Sequence, residues 1–122
     1  MSSLYRRFVR LLNVELESLQ DELQVLVDYQ DERLENKEIT DYVRNYNVAV
    51  LKNELMGLHE FLRCEGCLDA DSDGNLEEIT DEVCGYIKHY FETRDNVPAL
   101  YELVKLRIDK IRGYLENPVG AV

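Results

Sequence analysis

The chain has no tryptophan, two prolines, six glycines, three cysteines and two histidines among its 122 residues. So few helix breakers exclude a loop-rich scaffold and permit long uninterrupted helices. The odd cysteine number argues against the stapled framework of a small secreted domain and predicts a reducing interior with free or metal-bound thiols. Positive charge is scarce: 14 Lys and Arg stand against 25 Asp and Glu, a net charge of −11. An acidic surface repels phosphate, which excludes general nucleic-acid binding. No apolar run approaches the ~20 residues of a membrane span. Arg6, Arg7 and Arg10 interrupt the N-terminal stretch, and no small-residue cleavage site follows. The expectation is therefore no secretory signal and a cytoplasmic location. With 45% hydrophobic and 32% charged residues, the composition is that of an ordinary globular chain, expected to form one domain over residues 1–122.

The periodicity is helical nearly throughout. Val9, Leu12, Leu16, Leu19, Leu23 and Leu26 recur at steps of three and four, which predicts one apolar stripe on a long helix reaching about Glu35. A second helix is expected from Ile39 or Thr40, with Thr40 as its N-cap and Gly66 near its end. Its stripe reads Val43, Tyr46, Val50 and then Val48, Leu51, Leu55, Leu58, Leu62, a drift of about one residue. Asn75 with Glu78 resembles a capping box for a third helix, lined by Leu76, Ile79, Val83, Ile87 and Tyr90. Arg94-Asp95-Asn96 makes a turn, and Pro98 suits the first turn of a fourth helix. Tyr101, Val104, Ile108, Ile111 and Leu115 line that helix, and Asn117-Pro118 stops it. No alternating β-branched segment suggests a strand. The predicted fold is an all-α antiparallel bundle of about four helices with a long N-terminal helix. Because the first helix outruns the third and fourth, part of its apolar surface is left without an internal partner, unless those two stack end to end along it. An unpartnered stripe points to a homodimer or a protein partner.

Residues 69–76 read Asp-Ala-Asp-Ser-Asp-Gly-Asn-Leu. This segment resembles the first two thirds of an EF-hand calcium loop, in which oxygens at the first, third and fifth places converge on Ca²⁺ and glycine at the sixth permits the sharp turn. The resemblance implies Asp69, Asp71 and Asp73 as ligands, the Asn75 backbone carbonyl as a fourth, and Glu77 acting through a water. Loop 69–80 departs from the family at its twelfth place, where Thr80 stands instead of a bidentate Glu. The other reading is a solvated turn, rich in Asp because Asp and Asn favour turns and caps.

Cys64-Glu65-Gly66-Cys67 has the spacing with which two thiolates meet one metal. If the flanking helices fold back about Gly74, Cys64 lies level with Cys84 and His59 with His89, so Cys64, Cys67 and Cys84 form a candidate Zn²⁺ set. Each histidine is five residues from a cysteine, a rotation of about 140° that puts it on another face. Glu60 and Asp81 are better-placed oxygens. The alternative is three cysteines packed as small hydrophobes, and a thiol redox site is a further reading of the C-x-x-C.

No Glu-x-x-His pair, Gly-rich phosphate loop, Gly-x-Ser-x-Gly or His-Glu-x-x-His occurs, so no catalytic constellation supports an enzyme. Two basic clusters remain: Arg6, Arg7 and Arg10 near the start, and Lys105, Arg107, Lys110 and Arg112 against Asp109 near the end. They are expected to meet acidic faces of neighbouring helices or of a second copy, rather than a membrane. The sequence thus predicts a non-enzymatic helical interaction or assembly module, with a cation-responsive Ca²⁺ loop or a thiolate site as alternatives.

Overall fold

The local chemistry of caps sets the boundaries of four helices in a computed structural model that describes residues 3–68, 72–96 and 98–117. They are α1 (Ser3–Glu35), α2 (Asp41–Leu62), α3 (Leu76–Thr93) and α4 (Pro98–Glu116). Thr40 caps α2 by accepting from the Val43 N–H. Asn75 and Glu78 form the reciprocal capping box of α3, which satisfies two donors that the first turn leaves open. Pro98 opens α4, where its missing N–H costs nothing.

α1 and α3 close through a left-handed residue that is not glycine. After α1, Lys37 turns left-handed (φ 60°) while its N–H reaches the Leu34 carbonyl and the Glu38 N–H the Arg33 carbonyl. After α3, Asp95 (φ 55°) does the same with Glu92, and Asn96 with Phe91. Both are Schellman closures, which satisfy the last carbonyls and reverse the chain tightly. Gly66 does not end α2; that helix stops at Leu62. Gly66 (φ 83°) and Leu68 (φ 63°) instead turn the following segment inward. Leu68 is thereby buried, and its carbonyl accepts the Tyr5 hydroxyl at 2.8 Å.

α1 and α2 run antiparallel: Gln20 meets His59, Gln30 meets Asn47, and Asp31 pairs with Arg44 at 2.8 Å. α3 and α4 form a second antiparallel pair, with Lys88 over the Tyr101 ring. They lie side by side and do not stack end to end along α1. The core lies between the two pairs: Phe8, Leu12, Leu16 and Leu19 of α1 face Leu58 and Phe61 of α2, Ile79, Val83, Ile87 and Phe91 of α3, and Leu100, Val104 and Ile108 of α4. The architecture is the expected all-α helical bundle. Among the described residues no helix is long and apolar enough to cross a membrane.

The helices are unequal, and that decides what is exposed. The α3–α4 turn meets α2 at Gly57, where Asn96 and Leu100 approach closely. Beyond that level residues 24–53, from α1 and α2, continue as a two-helix arm. Within the arm only Val27, Gln30 and Val48 are buried.

Candidate functional site

The acidic loop does not assemble a site among the described residues. Asp69 and Asp71 lie outside them, and Asp73 and Glu77 are exposed. The Asn75 carbonyl already accepts the Ile79 N–H at 2.9 Å, as a helix N-cap should. Thr80, in place of the twelfth ligand, is buried and donates its hydroxyl to the Leu76 carbonyl. No group of three His, Cys, Asp or Glu side chains comes together among the described residues.

The expectation of free or metal-bound thiols at the C-x-x-C is corrected. Cys64 and Cys67 are joined in a disulfide, with Cα atoms 5.6 Å apart. The two residues follow the end of α2 at Leu62, in a segment turned at Gly66, and their Cα separation lies within the range a disulfide spans. Nor does Cys64 meet Cys84. Cys84 is a free cysteine on α3 with Tyr101 of α4 beside it. Burial pushes the Cys84 thiol up, which disfavours the thiolate that a metal or a nucleophilic reaction needs. Burial, with Cys84 beside it, pushes the Tyr101 hydroxyl up to about 12. His59 faces α1 through Gln20, and His89 is exposed.

What the structure does assemble is an apolar face on the arm. α4 covers one flank of α1, the flank of Glu15 and Glu22, and Arg107 reaches both carboxylates. Leu26, Tyr29 and Arg33 lie four, seven and eleven residues beyond Glu22, on the same flank and past the end of α4. On α2, Gly57 marks the flank that receives the α3–α4 turn. Val50, Tyr46 and Val43 precede it by seven, eleven and fourteen residues, again on one flank. The two flanks adjoin, because each faces the space that α3 and α4 fill lower in the bundle. Leu26 is 45% exposed, Tyr29 44%, Val43 38% and Tyr46 63%, with Val25 and Tyr42 at the borders. Glu54, between Val50 and Gly57, is 7% exposed and makes no ion pair among the described residues. Burial therefore raises its carboxyl above the usual range.

Three residues that the predicted stripes turn inward, Leu26, Val43 and Tyr46, are exposed, and that hid this face from the periodicity. Leu26 continues the numerical stripe of α1, but the inward face slips to Val27 and Gln30 after Leu23. The drift in α2 is two faces and not one: Val48, Leu51, Leu55 and Leu58 turn toward the interior, while Val43 and Tyr46 stay outside. A signal was present in Tyr29, Tyr42 and Tyr46, three aromatics on the helix portions that outrun α3 and α4.

The packing of α4 on α1 in the body is held electrostatically. Arg107 and Lys110 converge on Glu15, each at 3.1 Å, as the basic turn near the end of the chain predicts. Burial pushes the Glu15 carboxyl up, but the hydrogen bonds from Lys110 and Arg107 outweigh it and hold the group below its ordinary range. Its contribution to stability is therefore complete above the unfolded carboxylate range and is lost as pH falls through the folded value. Glu15→Gln is expected to cost about 1 kcal/mol at neutral pH, with the difference from wild type shrinking as pH falls from neutral through the ordinary carboxylate range and below it. Urea unfolding across that range checks it; a difference that persists unchanged at the acid end would rule the ion pair out as its source.

Comparison of the chain with protein-family models, curated proteins and solved structures gives no match.

Proposed function

We propose that the chain is a non-enzymatic helical interaction module that docks through the free flank of the α1–α2 arm. One observation carries this reading: the surface that α3 and α4 bury along the body continues past their ends as Leu26, Tyr29, Val43 and Tyr46, and stays open to water. A contiguous apolar patch of this kind is costly for a monomer to keep and is typical of an interface. Tyrosines suit the role, since they bury large area with few rotatable bonds and keep a polar tip for the rim. The face fits a protein surface rather than nucleic acid or an anionic membrane, because its flank positions carry one cation, Arg33, where phosphate binding needs several.

The test is site-specific photo-crosslinking in the native host. A benzophenone amino acid at Tyr46 should yield a discrete adduct, whether with another protein or with the chain itself. The same probe at Tyr114, exposed at the far end of the body, should yield none. No adduct at Tyr46, or equal labelling at both positions, overturns the proposal.

A further inference from the structure

The charge and size of the open flank point to its occupant, and we infer that this occupant is the same flank of a second copy, two arms combining into a four-helix bundle. The inference rests on the interaction reading above and specifies its partner.

Charge is the first argument. The chain carries −11 overall, but residues 24–53 hold six acids and four bases, a net of −2. None of the six acids stands on the flank. The positions in line with Glu22 on α1 are Leu26, Tyr29 and Arg33, and those in line with Gly57 on α2 are Val50, Tyr46 and Val43. A basic partner helix would find there only the Glu54 carboxyl, itself 7% exposed, and an acidic one would meet a single arginine. Another apolar face is the complement that brings no carboxylate from the arm, and Arg33 is the one charged flank position each copy adds. The remaining −9 sits on the body, so joining the molecules at the arms keeps the strongly acidic parts apart and limits repulsion.

Area is the second. With ~200 Å² for a fully exposed tyrosine, the exposed parts of Val25, Leu26, Tyr29, Tyr42, Val43 and Tyr46 amount to roughly 600 Å² per copy. Two copies then bury about 1,200 Å², the lower end of the range for specific, stable interfaces. A single short peptide on one arm would bury less. Shape is the third argument. Two antiparallel helices open on one side lack the other half of a bundle layer, and a two-fold axis supplies two helices of matching length and spacing.

The experiment is sedimentation velocity on the full chain over a concentration series, on wild type, Tyr46→Asp, Leu26→Asp, and the controls Val14→Asp and Met56→Asp, exposed residues that lie outside the arm. Circular dichroism melts confirm that each variant folds. Wild type and both controls are expected to show the same micromolar monomer–dimer equilibrium. Tyr46→Asp and Leu26→Asp should each weaken it by on the order of 100-fold or more, since each substitution enters a two-fold interface twice. Wild type that stays monomeric throughout overturns the inference, as does a dimer that Met56→Asp disrupts and Tyr46→Asp does not. A monomer whose Tyr46 probe still gives an adduct with another protein removes the self-pairing alone. A monomer with no adduct removes the interaction reading as well.

Discussion

Phe91→Ala is expected to destabilise the chain by about 3–5 kcal/mol, lowering the thermal midpoint by roughly 12–20 °C. Phe91 is 2% exposed and sits where the end of α3 crosses α2. Its ring meets Phe61 at 5.9 Å and Tyr90 at 5.8 Å, and Phe61 meets Tyr90 at 5.0 Å, all edge-on. Truncation leaves a cavity bounded on two sides by rings that are themselves fixed, Tyr90 by Arg94 stacked 3.6 Å over its face. Such a wall cannot collapse into the space, which puts the loss in the upper part of the usual range. Phe91→Leu keeps most of the volume and should lose about 1–1.5 kcal/mol. Thermal unfolding by circular dichroism measures both. Equal losses for the two variants would mean that the aromatic edges, and not the filled volume, set the stability there.

Gly57→Val is expected to cost about 2–3 kcal/mol. A Cβ at this position meets the Asn96 Oδ1 and the Leu100 Cδ2 at 2.7 Å each. Leu100 is fully buried and cannot swing away, and a β-branched side chain adds methyls beyond the Cβ. Glycine at the middle of a helix ordinarily weakens it by about 0.5–1 kcal/mol relative to alanine. At Gly57 that weakness is the condition for the α3–α4 turn to touch α2 at all. Gly85 and Gly113 provide the contrast, since nothing lies within 4 Å of a Cβ at either. Gly85→Ala and Gly113→Ala should each stabilise by about 0.5–1 kcal/mol. Urea midpoints of the three variants check the sign. A stabilising Gly57→Val would remove the close approach as the reason for glycine at that position.

Local chemistry was legible in the sequence wherever a few adjacent residues decide the outcome. Asn75 with Glu78 announces the start of α3, Thr40 that of α2 and Pro98 that of α4, because a cap is satisfied within one turn. The four-helix, strandless architecture follows from the same short-range periodicity. The facing of α1 beyond Leu23 was not legible, since Leu26 and Val27 are both apolar and only the position of α2 chooses between them. The end of α2 was misplaced at Gly66 because glycine is the usual stop signal, whereas the burial of Leu68 turns the chain earlier. The Cys64–Cys67 bond was not legible either, because the C-x-x-C spacing serves a shared metal or a disulfide equally. An uncovered surface was foreseeable from helix lengths alone; its residues required knowing that the α3–α4 turn stops at Gly57.

The arm also sets a gradient of local opening along the molecule. Its amides are secured by helical hydrogen bonds over only three buried side chains, Val27, Gln30 and Val48, while those of the body sit over a continuous core. Backbone hydrogens near the α1–α2 turn should therefore exchange with solvent through fraying, orders of magnitude sooner than those around Leu12 or Ile87. A partner bound on the flank would do more than occupy it: it would shift the arm from the least protected part of the chain toward the protection of the body, making docking and ordering a single event.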